Sequence, residues 1–404
     1  MEIKILQNAD WRDGKYLKEN LVLEKSEYES EFPYINRIKY DLFNLETNER
    51  VEILPNIEKY NIGDIINVSM YSEYLYFVNL YENNGNDTSD DNVINVSISI
   101  IRYNIITKET LSLYSYNDNI MELNKTKRLK LFVINNLYLI IQNEYLVQNS
   151  SQTYAGFFKF DLKMYNLKDD TEYIITDENF IKNGISYIIP LSETQAVIKT
   201  GFSLLEDNRY NVLEQEECSL ESLSFVNISQ MISDLIIGQT SIALETIEQA
   251  YYTNTISYVK KSKNYLIYSC INNETKEEEV KFYNLTTKEI KSCINQDVIR
   301  ESDLANPYII NSEPYICIIK EDKTSFLNLN TNKLEFKNDN GMKFRNVFED
   351  TVLFSGVSTT LLTKKIKPFF DIISFPQGKL LHHEQNEYVD SFTDENNNIY
   401  IIMK

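Results

Sequence analysis

The sequence is poor in several residue types on which enzyme chemistry commonly depends. Its 404 residues include only ten glycines and two histidines. A Ser-His-Asp or Cys-His system would need His382 or His383 as its base, and neither lies near a recognisable nucleophile elbow. Gly184 and Gly201 stand in strand-like surroundings and form no phosphate-binding loop. Acyl transfer and nucleotide chemistry are therefore disfavoured.

Cysteine and long apolar runs are also scarce. The four cysteines, Cys218, Cys270, Cys293 and Cys317, are far apart and lack paired metal-ligand spacing. The first residues, "MEIKILQNADWRDGKY", do not resemble a secretory signal. No stretch approaches the roughly 18 apolar residues that a membrane helix needs. We therefore predict reduced thiols and a cytoplasmic location.

The chain as a whole contains more acidic than basic residues. Sixty acidic residues face forty basic ones, which gives a formal net charge of −20. Such a surface repels phosphate backbones and anionic lipid headgroups. We therefore predict no nucleic-acid partner and no membrane association.

The sequence is rich in aromatic residues and contains one short motif that is repeated along the chain. The 29 tyrosines and 20 phenylalanines favour β-strands, although heavy use of Asn, Ile, Lys and Tyr is also typical of AT-rich bacterial genes. Alternating apolar runs flank similar polar turns, which is the pattern of β-hairpins. The turns begin at Asn44, Asn104, Asn284 and Asn328, with weaker copies at Asn166 and Asn227 and a variant before Gly378.

One position in each turn should adopt the left-handed backbone conformation. It is occupied by Asn or Gly in several copies, which are the residues that best tolerate that conformation. In chain order the position falls at Asn48, Lys108, Asp170, Met231, Lys288, Asn332 and Gly378. A second hairpin series interleaves with the first, as in "YSEYLYFV" and "KSKNYLIY", so the unit is a four-stranded antiparallel sheet.

These turns resemble the hydrophobic-x-x-T-G-K/E turns of the β-propeller superfamily, and no specific family is matched. The resemblance implies an all-β propeller over residues 1–404 as one domain. We predict seven blades, closed by pairing the C-terminal hairpin at Tyr388–Met403 with the hairpin near Asn44. An additional strand within "ENLVLEKSE", Glu19 to Glu27, would make eight blades, or residues 1–30 could be an N-terminal extension.

Candidate metal ligands and catalytic groups are few. His382 and His383 are neighbours on a predicted outer strand, where they point to opposite faces and cannot share one ligand. Asp394, Asn396 and Asn398 alternate as in a calcium loop, but the glycine and glutamate that close such a loop are missing. We predict no metal and no cofactor. A catalytic carboxylate pair stays open, because spacing in sequence does not reveal separation in space.

The leading functional prediction is a non-catalytic interaction or scaffold propeller that presents an acidic loop face to a basic protein partner. Three connections predicted to lie on one face are long, and two of them are acidic. The candidate partner-binding residues are Asp87, Asp90, Asp91, Glu206, Asp207, Glu214, Glu216 and Glu217; Glu221 is a further acidic residue at the end of the last connection. The alternative is a propeller enzyme or small-ligand binder, with a site where inner strands carrying Tyr and carboxylates meet the central channel.

Overall fold

A computed structural model provides the coordinates of the chain. It describes residues 2–7, 14–17, 21–29, 35–53, 57–60, 69–71, 73–82, 93–121, 128–135, 137–148, 156–201, 221–250, 254–272, 274–294, 304–320, 323–338, 341–359, 366–393 and 398–403. Within these residues the fold is an all-β propeller of small antiparallel sheets, which confirms the predicted fold class.

The strands follow the chain from sheet to sheet. The first strand is β1 (Ile3–Gln7). The next sheet contains β2 (Gly14–Tyr16), β3 (Leu21–Glu29), β4 (Ile35–Asn44) and β5 (Arg50–Glu52), with β6 (Ile57–Tyr60) also paired to β4. It is followed by β7 (Ser69–Tyr71), β8 (Tyr74–Glu82), β9 (Val93–Asn104) and β10 (Thr110–Met121). The next contains β11 (Arg128–Val133), β12 (Tyr138–Gln148), β13 (Gly156–Asn166) and β14 (Thr171–Ile174).

The described residues include two helices, and both lie next to the strands of the following sheet. Its strands are β15 (Ile185–Pro190), β16 (Gln195–Thr200), β17 (Glu221–Asn227) and β18 (Glu245–Ala250). Helix α1 (Glu178–Asn183) precedes β15, and α2 (Ile228–Ile236) connects β17 to β18. A tight turn had been predicted near Met231, and that prediction is wrong. Asn227 caps α2 by accepting from the Gln230 amide at 3.0 Å, and apolar residues on one helix face are buried.

The remaining sheets complete the chain. They contain β19 (Asn254–Ser262), β20 (Tyr265–Asn272), β21 (Glu278–Asn284) and β22 (Ile290–Ile294). Then come β23 (Leu304–Ile310), β24 (Glu313–Lys320), β25 (Lys323–Asn328) and β26 (Lys333–Asn338). The next contains β27 (Lys343–Phe348), β28 (Thr351–Thr359), β29 (Ile366–Ser374) and β30 (Leu380–Glu384). The last hairpin is β31 (Tyr388–Thr393) and β32 (Ile399–Met403).

Eight sheets can be counted in the described residues, which matches the eight-blade alternative and corrects the count of seven. The terminal hairpin does not pair with the hairpin near Asn44. Instead, β32 pairs in parallel with β1, from Ile3 opposite Ile399 to Gln7 opposite Met403. The "ENLVLEKSE" stretch contributes to β3, which gives the Asn44 hairpin a sheet of its own.

The predicted left-handed positions are confirmed in six of the turns. Their φ angles are 56° at Asn48, 63° at Lys108, 59° at Asp170, 60° at Lys288, 54° at Asn332 and 70° at Gly378. Side-chain chemistry explains the shared shape. In the turn at Asn284, its Oδ1 accepts from the amides of Thr286 at 2.9 Å and Thr287 at 3.0 Å. Such an Asx turn fixes the backbone before the left-handed residue.

The chain divides into two compact units. The first contains residues 1–25, 42–51 and 257–404, and the second contains 26–41 and 52–256. In the first unit, apolar clusters fill the space between successive sheets; Phe326, Phe336 and Phe354 belong to the one between the β23–β26 and β27–β30 sheets. In the second, one cluster joins the β11–β14 and β15–β18 sheets with both helices. No helix in the described part of the chain is long and apolar enough to cross a membrane.

Candidate functional site

A group of polar side chains lies on the neighbouring strands β27 and β31 of the first unit, with one further residue on β28. First strands of successive sheets lie side by side, as β23 and β27 do, which is the inner-strand position of a propeller blade. Strand β31 lies at the edge of its sheet opposite β1, and Asn346 of β27 donates to the Ser391 carbonyl of β31 at 3.2 Å. We call the following residues the inner-strand cluster: Arg345, Asn346, Ser355, Tyr388, Asp390 and Ser391.

A β-bulge positions Arg345. Phe344 pairs with Phe354 and Asn346 pairs with Leu353, so Arg345 is an extra residue without a partner in the β27–β28 register. The bulge reverses the alternation of side chains. Phe344 packs with the apolar cluster on one side of the sheet, whereas Phe348, four residues later, belongs to the cluster on the other side. Bulges of this kind redirect side chains and recur beside active sites.

A second bulge lies on the adjacent inner strand. Tyr388 pairs with Met403 and Asp390 pairs with Ile402, so the register passes over Val389. The bulges interrupt the backbone pairing of two neighbouring strands. The apolar residues of these sheets remain buried and stabilise them. The two bulges therefore lie at the polar residues of the inner-strand cluster.

Hydrogen bonds and ring contacts connect the cluster. The Arg345 Nε donates to Ser355 Oγ at 2.7 Å, and its guanidinium carbon lies 5.4 Å from the centre of the Tyr388 ring. The hydroxyl groups of Tyr388 and Ser391 are 2.8 Å apart. Asn346 also reaches Ser391 Oγ, at 3.3 Å. Arg345 is exposed, so these contacts hold an accessible guanidinium in a defined orientation.

Burial favours the neutral form of Tyr388. Desolvation raises the pKa of the Tyr388 hydroxyl; the Ser391 hydrogen bond opposes the shift, the charge of Asp390 adds to it, and that of Arg345 opposes it. Tyr388 is therefore a hydroxyl donor or acceptor at neutral pH. The cluster combines one planar cation, three hydroxyl groups and one carboxylate, which suits recognition of a small polar molecule.

A second polar group forms at the turn end of β24, β25 and β26. Asn328 Nδ2 lies 2.6 Å from Glu313, 2.8 Å from Glu335 and 2.9 Å from the Tyr315 hydroxyl, which donates to Glu335 at 2.7 Å. Burial, followed by the Glu335 hydrogen bond and charge, raises the Tyr315 pKa above its ordinary 10.0. The structure thus brings two carboxylates together, which sequence spacing alone could not show. Because their oxygens share one amide, we interpret this group as a structural tie between strands.

The two histidines have separate partners, as their predicted alternation requires. His383 Nδ1 lies 2.5 Å from Asp371 Oδ1, directly across the β29–β30 register. His382 packs against the ring of Phe370 at 6.0 Å. Among the described residues, no group of three His, Cys, Asp or Glu side chains could hold a metal ion.

The predicted partner-binding residues lie outside the described residues. These are Asp87, Asp90, Asp91, Glu206, Asp207, Glu214, Glu216 and Glu217. Asp394 and Asn396 also lie outside them, whereas Asn398 Oδ1 accepts from the Glu2 amide at 3.0 Å. Glu221 had been grouped with the acidic loop, but it is buried at the start of β17 beside Lys199, with 3.6 Å between Oε2 and Nζ.

The inner-strand cluster was missed in the sequence. Arg345 lies in "KFRNVF", where Phe344, Val347 and Phe348 break strict alternation. That break is the signal of a bulge, and it could have identified Arg345 as a redirected residue. The contribution of Tyr388 and Asp390 from a separate sheet could not be read from spacing.

Fold and site together define the class of protein as a β-propeller with polar inner strands. No known protein-family profile matches the chain, and no curated protein matches it. Among solved structures, it is similar to an oligogalacturonate lyase in complex with manganese, at 10% identity and a TM-score of 0.41, over 91% of this chain and 99% of the other.

Two peptidases are similar to the same degree. A prolyl endopeptidase is 8% identical, with a TM-score of 0.42 over 96% of this chain. The Pyrococcus horikoshii acylaminoacyl peptidase is 10% identical, with a TM-score of 0.44 over 95%. The matches span only 53% and 56% of those two chains.

These neighbours assign no activity to this chain, because similarity at this level concerns the fold alone. They do correct the leading functional prediction. That prediction, a non-catalytic scaffold with an acidic loop face, is not supported, because the neighbours named above are a lyase and two peptidases. The alternative that the sequence left open is a propeller enzyme or small-ligand binder.

Proposed function

We propose that the protein is a small-ligand-binding propeller of the kind that supports catalysis, with its site at the inner-strand cluster. One observation carries the proposal. Arg345 is placed by a bulge on an inner strand, is exposed, and has no ion pair within the part of the chain that the structure describes. An accessible, oriented guanidinium beside hydroxyl groups is a ready binding site for a small polar molecule.

A purely structural role is the competing explanation. Arg345 covers the Tyr388 ring and bonds Ser355, and exposed cation–π contacts of this kind stabilise a fold by about 0.5–1 kcal/mol. That role explains the side chain but not the bulge, because a regular register would let a different residue cover the same ring. Binding explains both features.

A thermal-shift screen with a small-molecule library tests the proposal. We compare the wild type with Arg345→Ala and with Lys367→Ala, a control that removes an exposed positive charge from β29 of the same sheet. A bound ligand at about 100 times its Kd should stabilise the folded state by about 2.7 kcal/mol. Hits should lose this effect in Arg345→Ala and keep it in Lys367→Ala. Hits that stabilise Arg345→Ala as well as the wild type would refute the site.

We also propose a cytoplasmic location. It is supported by the sparse cysteines and by the buried thiol of Cys317, whose pKa is raised by burial, so that it is poorly reactive. Fractionation of cells that produce the full chain, followed by immunoblotting, should place it with cytoplasmic markers.

A further inference from the structure

We infer that the ligand of the inner-strand cluster presents a carboxylate to Arg345, an inference that rests on the proposed function of that site. The first support is the orientation of the guanidinium. Its Nε donates to Ser355 Oγ at 2.7 Å, and Ser355 is itself buried on β28. A fork that is already held in place loses less conformational entropy when it binds.

The Nη1 and Nη2 donors of Arg345 have the geometry to bind a planar anion. A guanidinium has five N–H donors, and the Ser355 contact occupies only the one on Nε. Within the described residues, the donors on Nη1 and Nη2 have no acceptor among the contacts of Arg345. Two parallel N–H groups of this kind bind the two oxygens of a carboxylate in a bidentate manner.

Local charge favours a monoanion over a phosphate. Lys343 is exposed and lies directly opposite Ser355, the residue that Arg345 contacts, so it adds a second positive charge to this part of the sheet. Asp390 contributes a carboxylate, and its charge already acts on Tyr388. The cluster therefore carries a small net positive charge that one carboxylate can balance. A phosphate monoester, at about −1.5 to −2, would exceed that charge and be repelled by Asp390.

The hydroxyl groups indicate what lies next to the carboxylate. Tyr388 and Ser391 are within 2.8 Å of one another, and both belong to the inner strand that faces Arg345 across the cluster. Groups that both donate and accept hydrogen bonds suit a ligand hydroxyl. A hydroxy acid or sugar acid is thus the class of ligand that uses the whole cluster.

Matched pairs of acids and neutral analogues test the inference. The probes are D-glucuronate with D-glucose, lactate with lactamide and benzoate with benzamide, and methyl phosphate is the dianion control. Binding to the full chain is measured by ligand-observed saturation-transfer NMR and by the side-chain Nε–H resonance of Arg345 in arginine-labelled protein. The variants are Arg345→Lys, Arg345→Ala and Lys343→Ala, each checked for its fold by circular dichroism.

The expected result is preference for the acids. At least one acid should bind about tenfold more tightly than its neutral partner and than methyl phosphate. Arg345→Lys should weaken that binding about tenfold despite retaining the charge, because Lys cannot form the bidentate contact. Lys343→Ala should weaken it by less than about threefold, because an exposed charge acts only through the screened field.

The unfavourable results separate the two proposals. Neutral partners that bind as well as the acids, with binding lost in Arg345→Ala, would overturn the carboxylate inference and leave the ligand site standing. Acids that bind Arg345→Ala as well as the wild type would overturn both. Failure of every acid to perturb the Arg345 resonance would also overturn the carboxylate inference.

Discussion

At the scale of single residues, the repeated turns show that a side chain can adopt a backbone conformation that its type disfavours. Lys108 and Lys288 occupy the left-handed position that Asn48, Asn332 and Gly378 fill in other copies. The preceding Asx turn imposes the shape, so the position tolerates a residue with a Cβ at an energetic cost. Turn chemistry outweighs the preference of the residue.

Replacement of Lys288 by glycine tests that cost. Lys288 has a φ of 60°, at which the lysine Cβ clashes with the backbone. Glycine has no Cβ and adopts this angle without a clash. We expect Lys288→Gly to raise the free energy of unfolding by about 0.5–1 kcal/mol, as measured by urea denaturation. Gly378→Ala, at the equivalent position, should lower it by a similar amount or more. A Lys288→Gly variant that is less stable than the wild type would contradict this explanation.

Lys199 and Glu221 form a buried ion pair in which each charge compensates the other. Both side chains are 2% exposed, and Glu221 also accepts from the Ile256 amide at 2.5 Å. Lys199→Met should lower the free energy of unfolding by about 3–5 kcal/mol, because it leaves a buried carboxylate without its cation. The double variant Lys199→Met/Glu221→Leu should recover much of that loss in urea denaturation. A double variant that is less stable than Lys199→Met would argue against a mutual dependence.

Tyr315 makes stability sensitive to alkaline pH. Because burial raises its pKa in the folded state above the ordinary 10.0, the folded state favours the neutral hydroxyl. This contribution is complete below about pH 10 and is lost as pH rises towards the folded-state pKa. At pH 8, Tyr315→Phe should be less stable by about 1–3 kcal/mol, because Asn328 and Glu335 lose a partner.

Urea denaturation between pH 8 and pH 11 measures the difference between Tyr315→Phe and the wild type. That difference should shrink above about pH 10, because only the wild type has this ionisable group. A difference that stays constant over this range would show that the pKa of Tyr315 is not raised.

At the scale of strands and sheets, the two ends of the chain meet in one sheet, but through β1 instead of the hairpin near Asn44. Ile3 and Ile5 pack against the apolar cluster that includes Ile399 and Ile401, and Lys4 donates to the Tyr400 hydroxyl at 2.9 Å. Parallel pairing with β32 therefore protects one edge of the terminal hairpin.

Removal of residues 1–7 should expose that edge. We expect a lower Tm and concentration-dependent aggregation, measured by calorimetry and light scattering, because β32 would lose its pairing with β1, and Ile399 and Ile401 would lose the apolar contacts of Ile3 and Ile5. Lys4→Ala, which keeps the strand, should change stability by less than about 1 kcal/mol. A shortened chain that melts at the wild-type temperature without aggregation would contradict the role of β1.

Sequence patterns predicted the hairpins well, because alternation and turn chemistry are local. They failed at Asn227. An Asn at this position begins a tight turn in other copies of the repeat, but Asn227 caps α2, because the apolar residues after it recur with a helical period. The blade count failed for another reason. The third strand of the terminal sheet comes from the opposite end of the chain, and its pairing depends on tertiary structure.

At the scale of the whole molecule, the proposed function is a ligand-binding propeller in place of the scaffold that the sequence suggested. Negative evidence for catalysis in the sequence, such as two histidines and few glycines, led to the first interpretation. The site instead uses Arg, Tyr, Ser and Asp, residues so common in this chain that composition could not reveal them. The bulges of β27 and β31 and the contacts between these two strands bring them together.

A crystal structure of the full chain with the strongest hit of the ligand screen would show where the ligand binds. We expect the ligand to lie within hydrogen-bond distance of the Arg345 guanidinium and to contact the Tyr388 or Ser391 hydroxyl. A ligand bound elsewhere, with Arg345 still held only by Ser355 and the Tyr388 ring, would contradict the proposed site.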